Sequence, residues 1–160
     1  MLRPRLPLMP ESSPPAPRAC PLRALIEVPR GSFIKRRPDG SRDFISPLPS
    51  PFNYGSALSE PSGELFASVA VEDGDPLDVL VLGPRLQRGR ELEVQVWGWV
   101  DFVDAGEADP KLVATRGRRP SALDWLRVRA FFVVYARLKG ALQRMRGREG
   151  MTRLRGIHRS

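Results

Sequence analysis

The sequence predicts an α+β domain with a mainly β core: a small barrel of short strands with one long helix, near the C-terminal end, packed outside it. Three observations lead there. Between residues 22 and 100, short apolar runs rich in β-branched side chains alternate with clusters of Gly, Pro, Asp and Ser, the texture of strands and turns. From Trp125 to Met145 the apolar residues instead recur at steps of three and four, the spacing of one helical face. The chain has 160 residues, enough for one domain with a real core and too few for two.

Along the chain, residues 1–21 hold seven of the 17 prolines and several arginines. Proline removes backbone donors, so this stretch is expected to be a disordered arm. The folded domain is expected over residues 22–146. LRALIEV, ending at Pro29, reads as its first strand. In GSFIKRRPDGSRDFISPLPSPFNY, PDG turns the chain between two short strands, and the later prolines force extended, irregular backbone. SALSEPSG reads as a loop and ELFASVAV as a strand; Leu77–Leu82 and Glu91–Val100 are two more, separated by the basic turn GPRLQRGR.

The helix is expected from Ser121 to Arg146, with Ser121 and Asp124 as a capping pair. Its buried face is predicted to carry Trp125, Val128, Phe132, Tyr135, Leu138, Leu142 and Met145. Residues 147–160 read as a loosely attached basic tail.

Composition excludes several classes of chemistry. An apolar share of 41% and a charged share of 28% suit a soluble globular protein. With one cysteine, Cys20, and one histidine, His158, the chain has no internal disulfide and no thiolate or imidazole metal site. Any metal is held by oxygen. No apolar run approaches the roughly 18 residues that span a bilayer, and the opening residues lack the apolar stretch of a signal peptide, so the expected compartment is the cytoplasm. A net charge of +8 favours an anionic partner, whether nucleic acid, a membrane surface or a small phosphorylated molecule.

Against that basic background, EDGDPLDVLVLG gathers Asp73, Asp75 and Asp78 at the mouth of a buried strand. A second group, Asp101, Asp104, Glu107 and Asp109, follows the strand ELEVQVWGWV and precedes Lys111. Carboxylates this close repel one another unless something positive sits between them. Mg²⁺, a hard cation that takes oxygen ligands and shares its shell with phosphate and water, answers that need. DGDP is also good turn chemistry, which an isolated copy of the motif would most simply represent. A calcium loop of EF-hand type fails, because Pro76 breaks the ligand alternation and Pro84 stands where the terminal Glu belongs.

In order, EVPRGSFIK, SPFNYG, EDGDPLDVLVLG, VDAGEADPKLVAT and FFVVYARLK resemble the signatures of the family I soluble inorganic pyrophosphatases, over roughly Leu22 to Lys139. The resemblance implies a five-stranded barrel of OB type with helix packed outside. It implies that Asp73, Asp78, Asp104 and Asp109 are Mg²⁺ ligands, several ions being bound per site, and that Asp75 holds and deprotonates the attacking water. Lys111 would act with it in catalysis, while Lys35, Arg42, Tyr54 and Tyr135 would contact the phosphoryl groups and Glu27 would stand in the outer metal shell. The implied reaction is Mg²⁺-dependent hydrolysis of inorganic pyrophosphate to two orthophosphates. Membrane and nucleic acid are not expected partners; a homo-oligomer is compatible with the sequence.

Three positions depart from the family pattern. Arg37 replaces a usual Glu, Ser50 a usual Tyr, and Ala136 a usual Lys that would face substrate. Because these changes fall on the substrate side, a phosphohydrolase acting on another phosphoanhydride is the alternative reading. A non-catalytic OB-like module binding single-stranded nucleic acid is a further one, given seven Lys or Arg against one Glu from Lys139 to Ser160.

Overall fold

The computed structural model describes residues 19–36, 41–69 and 75–160. Their elements run β1 (Cys20–Val28), β2 (Ile34–Arg36), β3 (Arg42–Ile45), β4 (Asn53–Ala57), a 3₁₀ turn (Glu64–Phe66), β5 (Asp78–Val81), β6 (Glu91–Asp104), β7 (Glu107–Ala108), β8 (Lys111–Thr115), α1 (Ala122–Met145) and β9 (Arg153–Arg159).

Five of these strands close a barrel. Neighbours follow the order β1, β4, β5, β8, β6, and β6 pairs back onto β1. All of these pairings are antiparallel except β5 with β8, which is parallel. β1 alternates buried and less buried residues, with Leu22, Ala24, Ile26 and Val28 inward. β8 is buried at every position, as expected of a short strand covered on both faces. One core cluster fills the barrel with Ile26, Val79, Val81, Val96 and Leu112 among its members; a second, including Phe102, Val113, Trp125 and Phe132, lies between barrel and helix.

The helix starts where the sequence places it. Ser121 Oγ accepts a hydrogen bond from the Asp124 N–H at 3.1 Å, and Asp124 Oδ2 accepts from the Ser121 N–H at 2.8 Å, a reciprocal capping box. Its buried face departs from the expected one. Trp125, Val128 and Phe132 are buried, but Ala136 and Gln143 continue the stripe, while Leu138, Leu142 and Met145 are exposed. The expected series takes mostly steps of three after Phe132. That is short of the 3.6 residues of a turn, so it walks around the helix and off the core.

Other expectations are corrected. ELFASVAV forms no strand over its described residues: Glu64–Phe66 is a 3₁₀ turn, and the Val69 N–H donates to the Phe66 carbonyl at 3.0 Å. Phe66 is the buried anchor there and Val69 packs beside it, so the two apolar contacts lie one turn apart rather than on alternate residues. NYGSA, read partly as loop, is the barrel strand β4, held by pairing on both sides. The segment read as a loose tail contains β9, which pairs antiparallel with the far half of the 14-residue β6. The expected disordered arm lies, up to residue 18, outside the described residues, as do Asp73, Arg37 and the PDG turn, whereas Cys20 and Pro21 at its end belong to β1 and pair with β6.

Candidate active site

The parallel pair β5–β8 sets the site. Asp78 opens β5, Lys111 opens β8, and the two are register partners. Side chains at paired positions leave a sheet on the same face, so the ammonium meets the carboxylate: Lys111 Nζ lies 2.5 Å from Asp78 Oδ2. Asp109, two residues before Lys111, closes on it from the other side, with its Oδ1 also at 2.5 Å from Nζ. Tyr54, on β4 beside β5, donates its phenol proton to Asp78 Oδ2.

Burial tunes these groups. It works against the charged form of Lys111, but the Asp78 and Asp109 carboxylates more than offset it and hold the ammonium charged beyond the ordinary lysine range. Burial likewise pushes Asp78 up, and Lys111 and the Tyr54 hydroxyl outweigh it, leaving the carboxyl below its ordinary value. Tyr54 is pushed well above the usual phenol range, first by burial and then by Asp78. Tyr135 is raised for the same first reason, with Asp104 next.

Asp78, Asp109 and Lys111 open onto a cavity of about 230 Å³ whose wall also includes Lys35, Ser50, Tyr54, Tyr135 and Lys139. The Lys35 ammonium stands 5.6 Å from the Tyr54 ring centroid. Six residues singled out in the sequence therefore share one cavity: Lys35, Tyr54, Asp78, Asp109, Lys111 and Tyr135.

The remaining candidates are placed elsewhere. Glu27 is paired with Lys35 at 3.4 Å, and its buried Oε2 has no hydrogen-bond partner among the described residues. Arg42 is exposed on β3, and Asp75 is exposed in a separate hollow beside Glu60. Asp104 ends β6; its Oδ2 accepts from Lys139, and its Oδ1 accepts from Gln143 Nε2 at 2.8 Å. Burial pushes the Asp104 carboxyl up, and the bonds from Lys139 and Gln143 bring it below its usual value. Ser50 spends its hydroxyl on the Phe52 carbonyl at 2.6 Å.

Lys139 is the charged residue of the cavity wall not singled out as a site candidate in the sequence. Its distance of four residues from Tyr135, one turn along the same helix face, is the signal that identifies it. Ala136, where the resemblance expects a Lys, is buried in the core between barrel and helix.

The donor set suits a hard cation. Asp78 and Asp109 each lend one oxygen to Lys111, and the other oxygen of each makes no hydrogen bond among the described residues. No group of three or more acidic, His or Cys side chains converges among those residues.

A family profile described as inorganic pyrophosphatase matches residues 24–153. The chain belongs to the inorganic pyrophosphatase family. It is 35% identical over 101 residues to the inorganic pyrophosphatase of Saccharolobus solfataricus, covering 58% of this chain and 54% of that protein. It is 32% identical over 112 residues to that of Halalkalibacterium halodurans, covering 64% and 63%. The chain thus spans between about half and two thirds of these relatives' lengths. The inorganic pyrophosphatase structure from Thermus thermophilus superposes with a TM-score of 0.64 at 28% identity, over 92% of this chain and 86% of that one. The closed barrel with strands and a single helix outside is that family's OB-like fold. No helix among the described residues is long and apolar enough to cross a membrane.

Proposed function

We propose that this pyrophosphatase-family chain hydrolyses inorganic pyrophosphate to two orthophosphates with Mg²⁺, in the cytoplasm. The observation that carries the reading is the cavity itself: Lys35, Lys111 and Lys139 with the hydroxyls of Tyr54 and Tyr135 surround Asp78 and Asp109. Phosphoryl transfer asks a protein mainly for positioning and charge compensation, and these are groups that supply both.

In this reading Asp78 and Asp109, with Asp73, hold the metal through their oxygens, and Glu27 stands behind them. When bound, Mg²⁺ lowers the pKa of water and neutralises charge on the leaving phosphate. The resemblance gives Asp75 the proton of the attacking water, but Asp75 lies in the separate hollow beside Glu60 and not on this cavity's wall, so that role is its least supported part. Lys111, kept charged by its two carboxylates, faces a phosphoryl oxygen, and Lys35, Tyr54 and Tyr135 hold the remaining ones; Arg42, exposed on β3, is not on the cavity wall. Asp104, the fourth carboxylate of the set implied by the resemblance, is engaged by Lys139 and Gln143.

The test is phosphate release from pyrophosphate, tripolyphosphate and nucleotides, with and without Mg²⁺, by the wild type and by Asp78→Ala. Release from pyrophosphate that needs both Mg²⁺ and Asp78 is expected. Equal rates with and without the metal remove the metal mechanism, and release from another anhydride alone redirects the assignment to that substrate.

A further inference from the structure

The helix divides labour between two positions three residues apart. Ala136 is buried and belongs to the same core cluster as Phe102 and Phe132. Lys139 lines the cavity, with its ammonium 5.7 Å from the Tyr135 ring centroid. Its side chain is only 17% exposed. Confining a long charged side chain costs hydration and rotamer freedom, so it requires a partner.

Asp104 is that partner, and it is itself held in place. Gln143 is buried, yet both ends of its amide are used: Nε2 donates to Asp104 Oδ1 at 2.8 Å, and Oε1 accepts from Thr152 Oγ at 2.6 Å. A threonine hydroxyl has one proton. The 2.6 Å contact to Gln143 takes it, which leaves the 3.4 Å approach of Thr152 to Asp104 as proximity only. Thr152 Oγ in turn accepts from the Ala105 N–H at 3.1 Å. The chain of bonds from Ala105 through Thr152 and Gln143 to Asp104 fixes the carboxylate, and the carboxylate fixes Lys139.

Charge around the cavity gives this arrangement a use. The described wall carries three lysines, Lys35, Lys111 and Lys139, against two carboxylates, Asp78 and Asp109, both of which bond Lys111. Asp104 does not line the cavity. An anion entering there reaches the wall that Lys139 helps to form.

We propose that Lys139 is a third phosphate-binding cation of the site, and that Asp104 is its positioning residue and not a metal ligand. This rests on the pyrophosphate reading for the identity of the anion.

The probes are imidodiphosphate, a diphosphate analogue with a nitrogen bridge, for binding, and pyrophosphate for turnover. Lys139→Met is expected to weaken imidodiphosphate binding and raise KM by about ten- to a hundredfold, the range for a lost hydrogen bond to a charged group. Lys139→Arg is expected to restore most of it. Asp104→Asn is expected to raise KM in the same direction while Mg²⁺ binding, measured by calorimetry, stays at the wild-type value; Asp78→Asn is expected to lose that binding. The double variant Lys139→Met/Asp104→Asn removes the pair without leaving a lone charge, and melting curves check its fold.

Wild-type affinity and KM in a folded Lys139→Met overturn the proposal, as does an Asp104→Asn variant that loses Mg²⁺ binding as Asp78→Asn does. Lys139-dependent binding of imidodiphosphate by a wild type that does not hydrolyse pyrophosphate overturns the functional reading and upholds this one.

Discussion

Asp78 and Lys111 sit side by side at the start of two parallel strands, 33 residues apart in sequence and 2.5 Å apart at their charged ends. The pairing register alone brings them together, so the site's central ion pair is a product of the parallel β5–β8 pairing. Lys111 is 6% exposed and Asp78 is 19% exposed at the side chain. A charge left alone there is costly.

Lys111→Met is therefore expected to cost about 3–5 kcal/mol, the range for breaking a buried pair by removing one partner. Urea unfolding measures it. The double variant Lys111→Met/Asp78→Asn, which leaves only the more exposed Asp109 charge, should recover part of that stability without recovering activity. A single variant as stable as wild type would show that the pair is open to solvent.

Tyr54→Phe removes the hydroxyl that donates to Asp78. A hydrogen bond to a charged group contributes about 1.5–3 kcal/mol, so kcat/KM should fall roughly tenfold or more. Because burial and Asp78 both raise the Tyr54 phenol, it stays protonated past the ordinary phenol value near pH 10. The wild-type pH profile should then show no loss of activity from this group below about pH 10; a basic limb that vanishes in Tyr54→Phe contradicts it.

Much of this was legible in the sequence, and what was not has physical causes. The helix and its cap were visible because both are local: Ser121 and Asp124 bond to each other's backbone, and the apolar period of Trp125, Val128 and Phe132 is written in consecutive turns. β4 was not, because Asn53–Ala57 has little strand character of its own and is a strand through its two neighbours. β9 was hidden by arginines that face solvent on an outer strand. In the site, motif order found Asp78, Asp109, Lys111, Lys35, Tyr54 and Tyr135. It missed Lys139, whose role comes from the cavity and from Asp104.

The helix cap should report on acid. Hydrogen bonding from Arg118, at 2.7 Å, outweighs burial and, with Ser121, holds the Asp124 carboxyl well below its usual value in the folded protein. A depressed folded value means that the stabilisation is complete above the unfolded pKa, about 4, and is lost as pH falls beneath it. Asp124→Asn should cost about 1 kcal/mol at neutral pH, and that difference should shrink below about pH 4. A difference constant from neutral to strongly acid pH excludes the charge as its source.

Two glycines should respond in opposite ways. A Cβ at Gly55 would collide with the Leu25 carbonyl oxygen across the β1–β4 pair, so Gly55→Ala should abolish stable folding. At Gly140, in the helix, the nearest atom to an added Cβ is 3.8 Å away on Thr152, an ordinary contact. Gly140→Ala should stabilise by about 0.5–1 kcal/mol through helix propensity, read as a higher melting temperature.

The seam between β1 and β6 joins residues more than sixty positions apart, from Leu25 with Glu91 to Cys20 with Val96. Such a closure is entropically late, whereas β6 and β8 are neighbours in sequence and pair early. A folding chain thus passes through an open sheet whose apolar edges are bare until the first strand docks. Docking of this seam is expected to limit how fast the cavity is built, so substitutions between Cys20 and Leu25, none of which lines it, should slow refolding while leaving the finished site unchanged.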